Sequence, residues 1–284
     1  MLSVCGESRC DFSYVLRSKL QSAVSNFASR VGWRGFDSSD FEVLHLNVEV
    51  ADLASVFCNY RIVHISDIHY GQWVSSERME GIVGLVNQCC PDAVVITGDF
   101  VSYLLDEVLG DELVAHLERL RSRDGVFAVL GNHDHWVGAN RVRKILARSA
   151  ILDVSNDVCV VDRGGVELVF AGVDSVMAQK ARLDVVLAKM PSEGPAVLLV
   201  HEPDFALTAA FTGRFSLQLS GHSHGGQVYI PGLGTPFRGR YAMRYPHGLY
   251  HVGGMALFTS SGLGTNSYWF RLNCPPQIGV VSLV

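Results

Sequence analysis

Two histidines separated by a single residue stand out in the segment 219–226, where His222 and His224 lie among serines and glycines. On an extended backbone, residues i and i+2 face the same side, so both imidazoles can reach one place at the end of a strand. The glycines allow the backbone to turn tightly and to approach that place closely. A buried histidine pair offers little apolar area and needs polar partners. We therefore interpret the two histidines as metal ligands, and further ligands must come from elsewhere in the chain.

The other candidate ligands each follow a short hydrophobic segment that is typical of a buried strand. They are Asp67 and His69, Asp99, Asn132 and His133, and His201. Each side chain alone is compatible with a turn at the end of a strand, so the prediction depends on the whole set. Carboxylate, amide and imidazole donors without thiolate suit manganese, iron or zinc. These ligands are too many for one ion. We predict two divalent ions, which at a spacing of about 3.5–4 Å clamp the oxygens of a phosphoryl displacement.

Strands and helices that alternate along the chain would position these ligands. The hydrophobic pattern predicts strands over 42–50, 61–65, 93–97, 125–130, 196–200, 215–219, 257–259 and 278–283, and a hairpin over 158–171. It predicts helices over 77–90, 104–123, 140–149, 184–190 and 205–213. Such alternation indicates an α/β sheet, and these sheets place their sites at the carboxyl ends of strands. His64 lies within a predicted strand, and we interpret it as an ordinary strand residue rather than a ligand.

The overall composition indicates a folded protein of moderate size. The 284 residues, 48% hydrophobic and 18% charged, are enough for a sizeable core. A net charge of −5 argues against a general nucleic-acid binder and against a nuclease. The seven cysteines are odd in number and form no C-x-x-C pair, which favours a reducing compartment over a disulfide framework. We predict one domain over residues 42–284, preceded by an N-terminal extension over residues 1–41.

The N-terminal extension carries hydrophobic residues at helical spacing over 12–31, with basic residues in excess of acidic ones. Two interpretations remain open: an amphipathic helix on an anionic membrane surface, or a helix packed on the domain. The sequence has neither an apolar run of about eighteen residues nor a secretory signal pattern. We therefore expect a cytoplasmic protein, which under the first interpretation lies peripherally on the inner face of the membrane.

Five short motifs resemble those of the calcineurin-like metallophosphoesterases and occur in the same order. They are Asp67-Ile68-His69, Gly98-Asp99, Gly131-Asn132-His133-Asp134, His201 after a strand, and Gly221-His222-Ser223-His224. No motif of the series is missing, and the resemblance extends from about residue 61 to the C-terminus. It implies a four-layer α/β/β/α sandwich, in which two mixed β-sheets are flanked by helices.

The resemblance also implies a role for each residue. The metal ligands would be Asp67, His69 and His224 for one ion, Asn132, His201 and His222 for the other, and Asp99 as the bridge between them. A hydroxide between the ions would be the nucleophile, with manganese favoured and iron or zinc as alternatives. His133 would donate a hydrogen bond or proton to the phosphoryl group or the leaving oxygen, and Asp134 would fix its ring.

Longer segments, at 61–69, 219–228, 244–250 and 260–265, resemble the YkuE/YaeI/LpxG-type branch of that family. The branch includes membrane-associated phosphohydrolases, and one of them cleaves the pyrophosphate bond of UDP-2,3-diacylglucosamine. The resemblance thus implies hydrolysis of a phosphoester or pyrophosphate bond, in a phosphorylated small molecule or a lipid-linked substrate. A non-catalytic metal-binding scaffold is the alternative function, and the presence of every ligand together with His133 favours the enzyme.

A cluster of arginines and aromatic residues follows the last metal motif, over residues 231–250. Arg238, Arg240 and Arg244 either bind a substrate phosphate or lipid headgroup, or lie on a solvated loop.

Overall fold

Two mixed sheets of six strands each form the centre of the residues that the computed structural model describes, which are 35–236, 238–265 and 270–284. The first sheet contains β1 (Glu42–Val48), β2 (Tyr60–Ile65), β3 (Ala93–Ile96), β4 (Gly125–Ala128), β5 (Leu152–Asp153) and β12 (Gln277–Leu283). The second contains β6 (Asp157–Asp162), β7 (Glu167–Val173), β8 (Ala196–Val200), β9 (Leu217–Ser220), β10 (Gly248–Val252) and β11 (Met255–Thr259). Their orders are β1-β12-β2-β3-β4-β5 and β10-β11-β9-β8-β7-β6.

Parallel pairing brings the carboxyl ends of several strands to one edge of each sheet. Strands β2 to β5 are parallel to one another, and so are β7, β8, β9 and β11. The exceptions are β12 and the neighbouring β1, which run opposite to β2, and the outer strands β6 and β10, which run antiparallel to β7 and β11. The loops that follow β2, β3, β4, β8 and β9 therefore emerge where the two sheets face each other, at a common edge.

Helices cover the outer faces of the sheets. They are α1 (Ser76–Gln88), α2 (Glu107–Leu117), α3 (Asn132–Val137), α4 (Ala139–Arg148), α5 (Leu183–Lys189) and α6 (Ala206–Phe211), with short 3-10 turns at Ser38–Asp40, Ser55–Phe57, Pro203–Phe205 and His224–Gly226. Side-chain capping sets where the first two begin. Ser75 accepts a hydrogen bond from the amide of Arg78, and Asp106 accepts one from the amide of Leu109. Because Asp106 caps the helix, α2 begins at Glu107, later than the predicted start at residue 104.

The side chains of each central strand alternate between two cores, as a period of two residues requires. In β3, Val94 and Ile96 pack beneath α1, α2 and α4, whereas Val95 faces the second sheet. Phe127 of the first sheet stacks on Phe170 of the second, with ring centroids 4.5 Å apart. A third core lies between the second sheet and the helices α5 and α6. The layers are thus helix, sheet, sheet and helix, which confirms the fold that the sequence predicted.

The N-terminal part of the described chain packs on this domain. Phe36 stacks against Phe41 at a centroid distance of 5.7 Å, and Arg78 donates to the carbonyl of Gly35. The helix predicted over 12–31 lies outside the described residues, so both interpretations of it stay predictions, as does the boundary at residue 42. Among the residues described, no helix has the length and apolar character needed to cross a bilayer.

Candidate metal centre

The structure brings all the predicted ligand positions to the common edge between the sheets. Asp67 and His69 follow β2, Asp99 follows β3, and Asn132 begins α3 just after β4. The second sheet contributes His201 after β8, and His222 and His224 after β9. All seven side chains are at least partly buried, and those of Asp67, His69 and His201 are fully inaccessible. The position of each candidate ligand is therefore a consequence of where a strand ends.

One group of ligands consists of Asp67, His69 and His224. Their candidate donor atoms all lie within 4.8 Å of one another. The Nε2 atoms of His69 and His224 are 3.1 Å apart, and His224 Nε2 lies 3.3 Å from Asp67 Oδ1. This spacing of imidazole and carboxylate donors suits a single divalent cation.

A second group consists of Asp99, His201 and His222, whose donor atoms also lie within 4.8 Å of one another. His201 Nε2 is 3.2 Å from Asp99 Oδ2 and 3.2 Å from His222 Nδ1. The same Asp99 Oδ2 is 3.8 Å from His69 Nε2 of the first group. Asp99 thus lies between the two groups, where its carboxylate can reach a cation in either. Asn132 adds a buried Oδ1 atom that has no hydrogen-bond partner.

Backbone carbonyls determine which ring nitrogen of the second group is free. His201 Nδ1 lies 2.6 Å from the carbonyl of Thr97, and His222 Nε2 lies 2.8 Å from the carbonyl of Arg240. A carbonyl only accepts, so each of these nitrogens carries the proton. In the neutral rings His201 Nε2 and His222 Nδ1 are then lone pairs, and they face each other at 3.2 Å. Two lone pairs at that distance are unfavourable unless a proton or a metal ion lies between them, so the arrangement fits a site for a positive charge.

The charge balance of the second group supports the same conclusion. Burial alone would lower the pKa of His201, but the adjacent Asp99 carboxylate raises that pKa well above its ordinary value. Burial likewise opposes ionisation of Asp99, yet the neighbouring His201 holds the pKa of Asp99 well below the usual range. A positive charge is thus favoured between the two side chains. A metal ligand set provides such a position, because a cation can replace the proton.

Ser102 supports both a ligand and the candidate proton donor. Its Oγ lies 2.5 Å from His69 Nδ1, which leaves His69 Nε2 directed at the first group. Its carbonyl accepts a hydrogen bond from His133 Nδ1 at 2.9 Å. Outer partners of this kind fix the tautomer and orientation of metal-binding histidines. The sequence analysis did not identify Ser102, because a serine three residues after Asp99 carries no signal of its own.

Five of the ligand residues adopt a left-handed backbone conformation that non-glycine residues rarely adopt. The φ angles lie between 47° and 68° for Asp67, His69, Asp99, His222 and His224. Such conformations are unfavourable and persist only where the surroundings enforce them. The loops are held by hydrogen bonds such as those from Asp67 N to the Gly98 carbonyl and from His69 N to the Asp99 carbonyl, both 3.0 Å. Five of the fourteen non-glycine residues with positive φ in the described chain are thus candidate ligands, and backbone strain is common at functional sites.

The glycines before the motifs permit a very close approach between loops. A Cβ atom on Gly131 would lie 2.2 Å from Asp99 Oδ1, and one on Gly221 would lie 1.9 Å from Ser66 Oγ. Any larger residue would displace Asp99 or Asp67 from its place in the cluster. The glycine in each motif is therefore required by the same geometry that assembles the ligands.

His133 lies beside the ligand groups, on the wall of a cavity. Burial lowers its pKa, and its Nδ1 is engaged by the Ser102 carbonyl, so its Nε2 is the nitrogen available to a bound molecule. His133 is also within ligand distance of His69 and Asp99. The ring is confined further by Tyr103 and Trp136, at centroid distances of 5.0 and 4.4 Å.

The structure corrects the role that was expected for Asp134. Its carboxylate accepts hydrogen bonds from the amides of Asp99 at 2.8 Å, Phe100 at 2.9 Å and Gly131 at 2.9 Å. The prediction that Asp134 fixes the ring of His133 is wrong, because the Ser102 carbonyl occupies that ring nitrogen. Asp134 instead anchors the loop that presents Asp99.

A cavity of about 790 Å³ opens over the ligand groups. Besides ligands, its lining includes Trp136, Met177, Val228, Phe270, Arg238 and Arg240. Two of the three arginines singled out in the sequence thus face the cavity. Arg244 is not among the lining residues, and its amide donates to Asp204 at 3.0 Å. Asp204 also binds the amide of Met243 at 2.9 Å, so it anchors the arginine loop.

Comparison with known proteins gives a consistent result. The sequence model of one family, described as calcineurin-like phosphoesterase, matches residues 60–226. "Uncharacterized metallophosphoesterase YkuE" of Bacillus subtilis is 29% identical over 231 residues, which is 80% of each chain. A metallophosphoesterase of Helicobacter pylori is 31% identical over 79% of this chain, and this chain spans 60% of that relative's length. "Phosphodiesterase YaeI" of Escherichia coli is 28% identical over 79% of this chain and 82% of its own.

Proposed function

The chain belongs to the calcineurin-like phosphoesterase family and is a metal-dependent phosphoester hydrolase, and from this premise we propose that it works with two divalent cations. Asp67, His69 and His224 would hold one cation, Asn132, His201 and His222 would hold the other, and Asp99, which lies between the two groups, would be shared by both. When bound, the cations supply Lewis acidity, which activates the attacking water and offsets the charge on the phosphoryl oxygens. The proposal depends on one observation: His201 Nε2 and His222 Nδ1, the nitrogens that do not donate to backbone carbonyls, face each other at 3.2 Å beside Asp99. Manganese is the preferred metal, with iron or zinc as alternatives.

His133 acts on the substrate rather than on the cations in this proposal. Its Nδ1–H is donated to the Ser102 carbonyl, so Nε2 faces the cavity. In the neutral ring this Nε2 is an acceptor, so the ring donates a hydrogen bond or a proton to the phosphoryl group or to the leaving oxygen in its imidazolium form, after Nε2 has taken up a proton. Asp134 contributes indirectly, because it fixes the Asp99 loop through three amides.

The cavity suits a substrate with both a phosphate and an apolar portion. Trp136, Val228 and Phe270 provide apolar contacts next to the ligand groups, and Arg238 and Arg240 provide positive charge. We extend the proposal to a phosphodiester or pyrophosphate, including a lipid-linked one such as UDP-2,3-diacylglucosamine. The name of the Escherichia coli relative, a phosphodiesterase, supports a diester as the first substrate to test. A non-catalytic scaffold is disfavoured, because the ligand set is complete and His133 lies beside it.

Metal analysis combined with a substrate panel tests the proposal. We expect two divalent ions per chain, loss of activity after chelation, and the best recovery with Mn²⁺. The panel consists of an aryl phosphodiester, an aryl phosphomonoester and a UDP-linked diacyl sugar. His133→Ala should keep both ions and lose turnover by about 100-fold or more, which is the usual contribution of a general acid. Asp99→Ala should lose the second ion.

A matched control is available in His116, a buried histidine that contacts Ser76 Oγ at 2.8 Å and is not among the residues that line the cavity. His116→Ala should retain metal content and turnover. The proposal is contradicted if His133→Ala is as active as this control, or if Asp99→Ala still binds two ions with unchanged affinity.

A further inference from the structure

Exposed hydrophobic side chains lie together beside the mouth of the cavity. The segments that carry them are joined by a bridge between Val228 and Leu272 and by the hydrogen bond from Tyr229 N to the Leu272 carbonyl, 2.9 Å long. A tight turn follows, in which Ile230 pairs with Gly234. We call this region the rim surface, and it consists of Tyr229, Ile230, Leu233, Phe270 and Leu272. Their exposed fractions range from 38% for Ile230 to 69% for Leu233.

The rim surface is continuous with the cavity. Phe270 belongs to both, and Val228, which lines the cavity, is the residue before Tyr229. Gln227 ties the two segments together, because its Nε2 donates to the Phe270 carbonyl at 2.8 Å. A partner seated on the rim surface would therefore lie against the entrance to the metal centre. Contiguous exposed apolar residues in such a place mark an interaction site rather than random surface composition.

The segment that carries the rim surface contains basic residues but no acidic ones, and the acidic neighbours that other segments bring are Asp40, in a pocket beside Phe270, and Asp204, which binds amides of the arginine loop. Residues 205–284 contain no aspartate or glutamate, although the whole chain has 28 acidic residues and a net charge of −5. The same segment has arginines at 214, 238, 240, 244 and 271. Arg238, Arg240 and Arg244 are exposed in the loop that follows the rim turn. A charge asymmetry of this size within one chain indicates an anionic partner.

We propose that the rim surface docks on an anionic lipid bilayer. Leucine, isoleucine, phenylalanine and tyrosine are the side chains that enter the boundary between headgroups and acyl chains, and arginines bind the lipid phosphates beside them. Docking in this way places the cavity mouth at the plane where an amphiphilic phosphate ester would lie. The inference goes beyond the hydrolysis proposed above and does not depend on the N-terminal segment.

Vesicle co-sedimentation of the full-length, metal-loaded protein tests the docking. The probes are phosphatidylcholine vesicles with and without a quarter of phosphatidylglycerol. We expect binding to the mixed vesicles that weakens with added salt, and little binding to the neutral ones. Ile230→Ser combined with Leu233→Ser should weaken binding to the mixed vesicles by about tenfold, since two inserted aliphatic side chains are lost.

The matched control is Phe211→Ser. Phe211 is 94% exposed and ends α6, a helix that leads away from the site edge after β8. This variant should bind vesicles like the wild type. Neither substitution touches the metal centre, so both variants should hydrolyse a soluble aryl phosphodiester at the wild-type rate. If the rate on the soluble diester is normal but vesicle binding is absent, the docking proposal fails and the proposed hydrolysis does not.

Three results would overturn the docking proposal. The first is vesicle binding by the double variant within about twofold of the wild type, which would mean that lipid phosphates enter the cavity alone or that another segment binds. The second is equal binding to neutral and anionic vesicles. The third is self-association without vesicles that the double variant abolishes, which would assign the rim surface to a second copy of the chain.

Discussion

Protonation of His64 should make the stability of the protein depend strongly on pH. His64 lies in β2 with no exposed surface, and its Nε2 is 2.8 Å from Thr97 Oγ1. Burial lowers the pKa of His64 from 6.5 to about 3, against a smaller opposing effect of Asp67. Between these two values the unfolded chain binds a proton that the folded protein excludes. The contribution of neutral His64 to the free energy of unfolding is therefore fully present above about pH 6.5 and decreases as the pH falls towards 3.

The magnitude follows from the gap between the two pKa values. Each unit of pH below the pKa of the unfolded chain costs about 1.4 kcal/mol, so at about pH 5 the loss is roughly 2 kcal/mol. This is a large part of the stability of an ordinary domain. The neutral variant His64→Gln retains a donor near Thr97 and has no such titration.

Urea unfolding of both proteins at about pH 7.5 and pH 5, each with chelator present, measures the effect. Chelator keeps metal loss at low pH from contributing to the comparison. The wild type should lose roughly 2 kcal/mol more than His64→Gln between the two conditions, whatever the starting stability of the variant. An equal pH dependence in the two proteins would refute the conclusion that the fold keeps His64 neutral.

Two further predictions concern contacts that join distant segments. Arg163 Nη2 binds Asp92 Oδ1 at 2.7 Å and Asp124 Oδ2 at 2.6 Å, which ties the second sheet to the first. Arg163→Met should lower the free energy of unfolding by roughly 3 kcal/mol in urea titrations, because two largely buried carboxylates lose their partner. Arg148, which pairs with Asp111 on the surface, offers the control Arg148→Met. An equally small effect of both substitutions on the free energy of unfolding would contradict the prediction. Ser102→Ala should weaken metal affinity by about 10-fold in a chelator competition assay, and Ser102→Thr should restore it, because the hydroxyl fixes the ring of His69. Unchanged affinity of Ser102→Ala would remove that role.

The sequence predicted that the candidate ligands lie together, because their positions depend on local signals. A hydrophobic strand that ends in a polar residue is visible in the sequence around Ile65 or Val200, and parallel pairing then places such ends together. The sequence also distinguished His64 from the candidate ligands, because His64 lies inside β2 rather than at its end. In the structure the Nε2 of His64 contacts the hydroxyl of Thr97.

The partners of the ligands could not be predicted in this way. Asp134 binds the amides of Asp99 and Phe100, which lie more than thirty residues earlier in the chain. The carbonyl that orients His222 belongs to Arg240, in a loop without a regular pattern. These contacts depend on how loops of different strands pack against each other.

The strands β5 and β10 were missed because β5 has two residues and β10 alternates between exposed and buried positions without a strong hydrophobic run.

The position of β12 has a consequence for the synthesis of the protein. This final strand, Gln277–Leu283, inserts between β1 and β2, pairing with one in parallel and with the other in antiparallel fashion. The N-terminal strands leave the ribosome first, yet β1 and β2 cannot join one sheet until the seven residues of β12 have been synthesised. We infer that the nascent chain remains in an unfinished state, with open edges on β1 and β2, until β12 has left the ribosome.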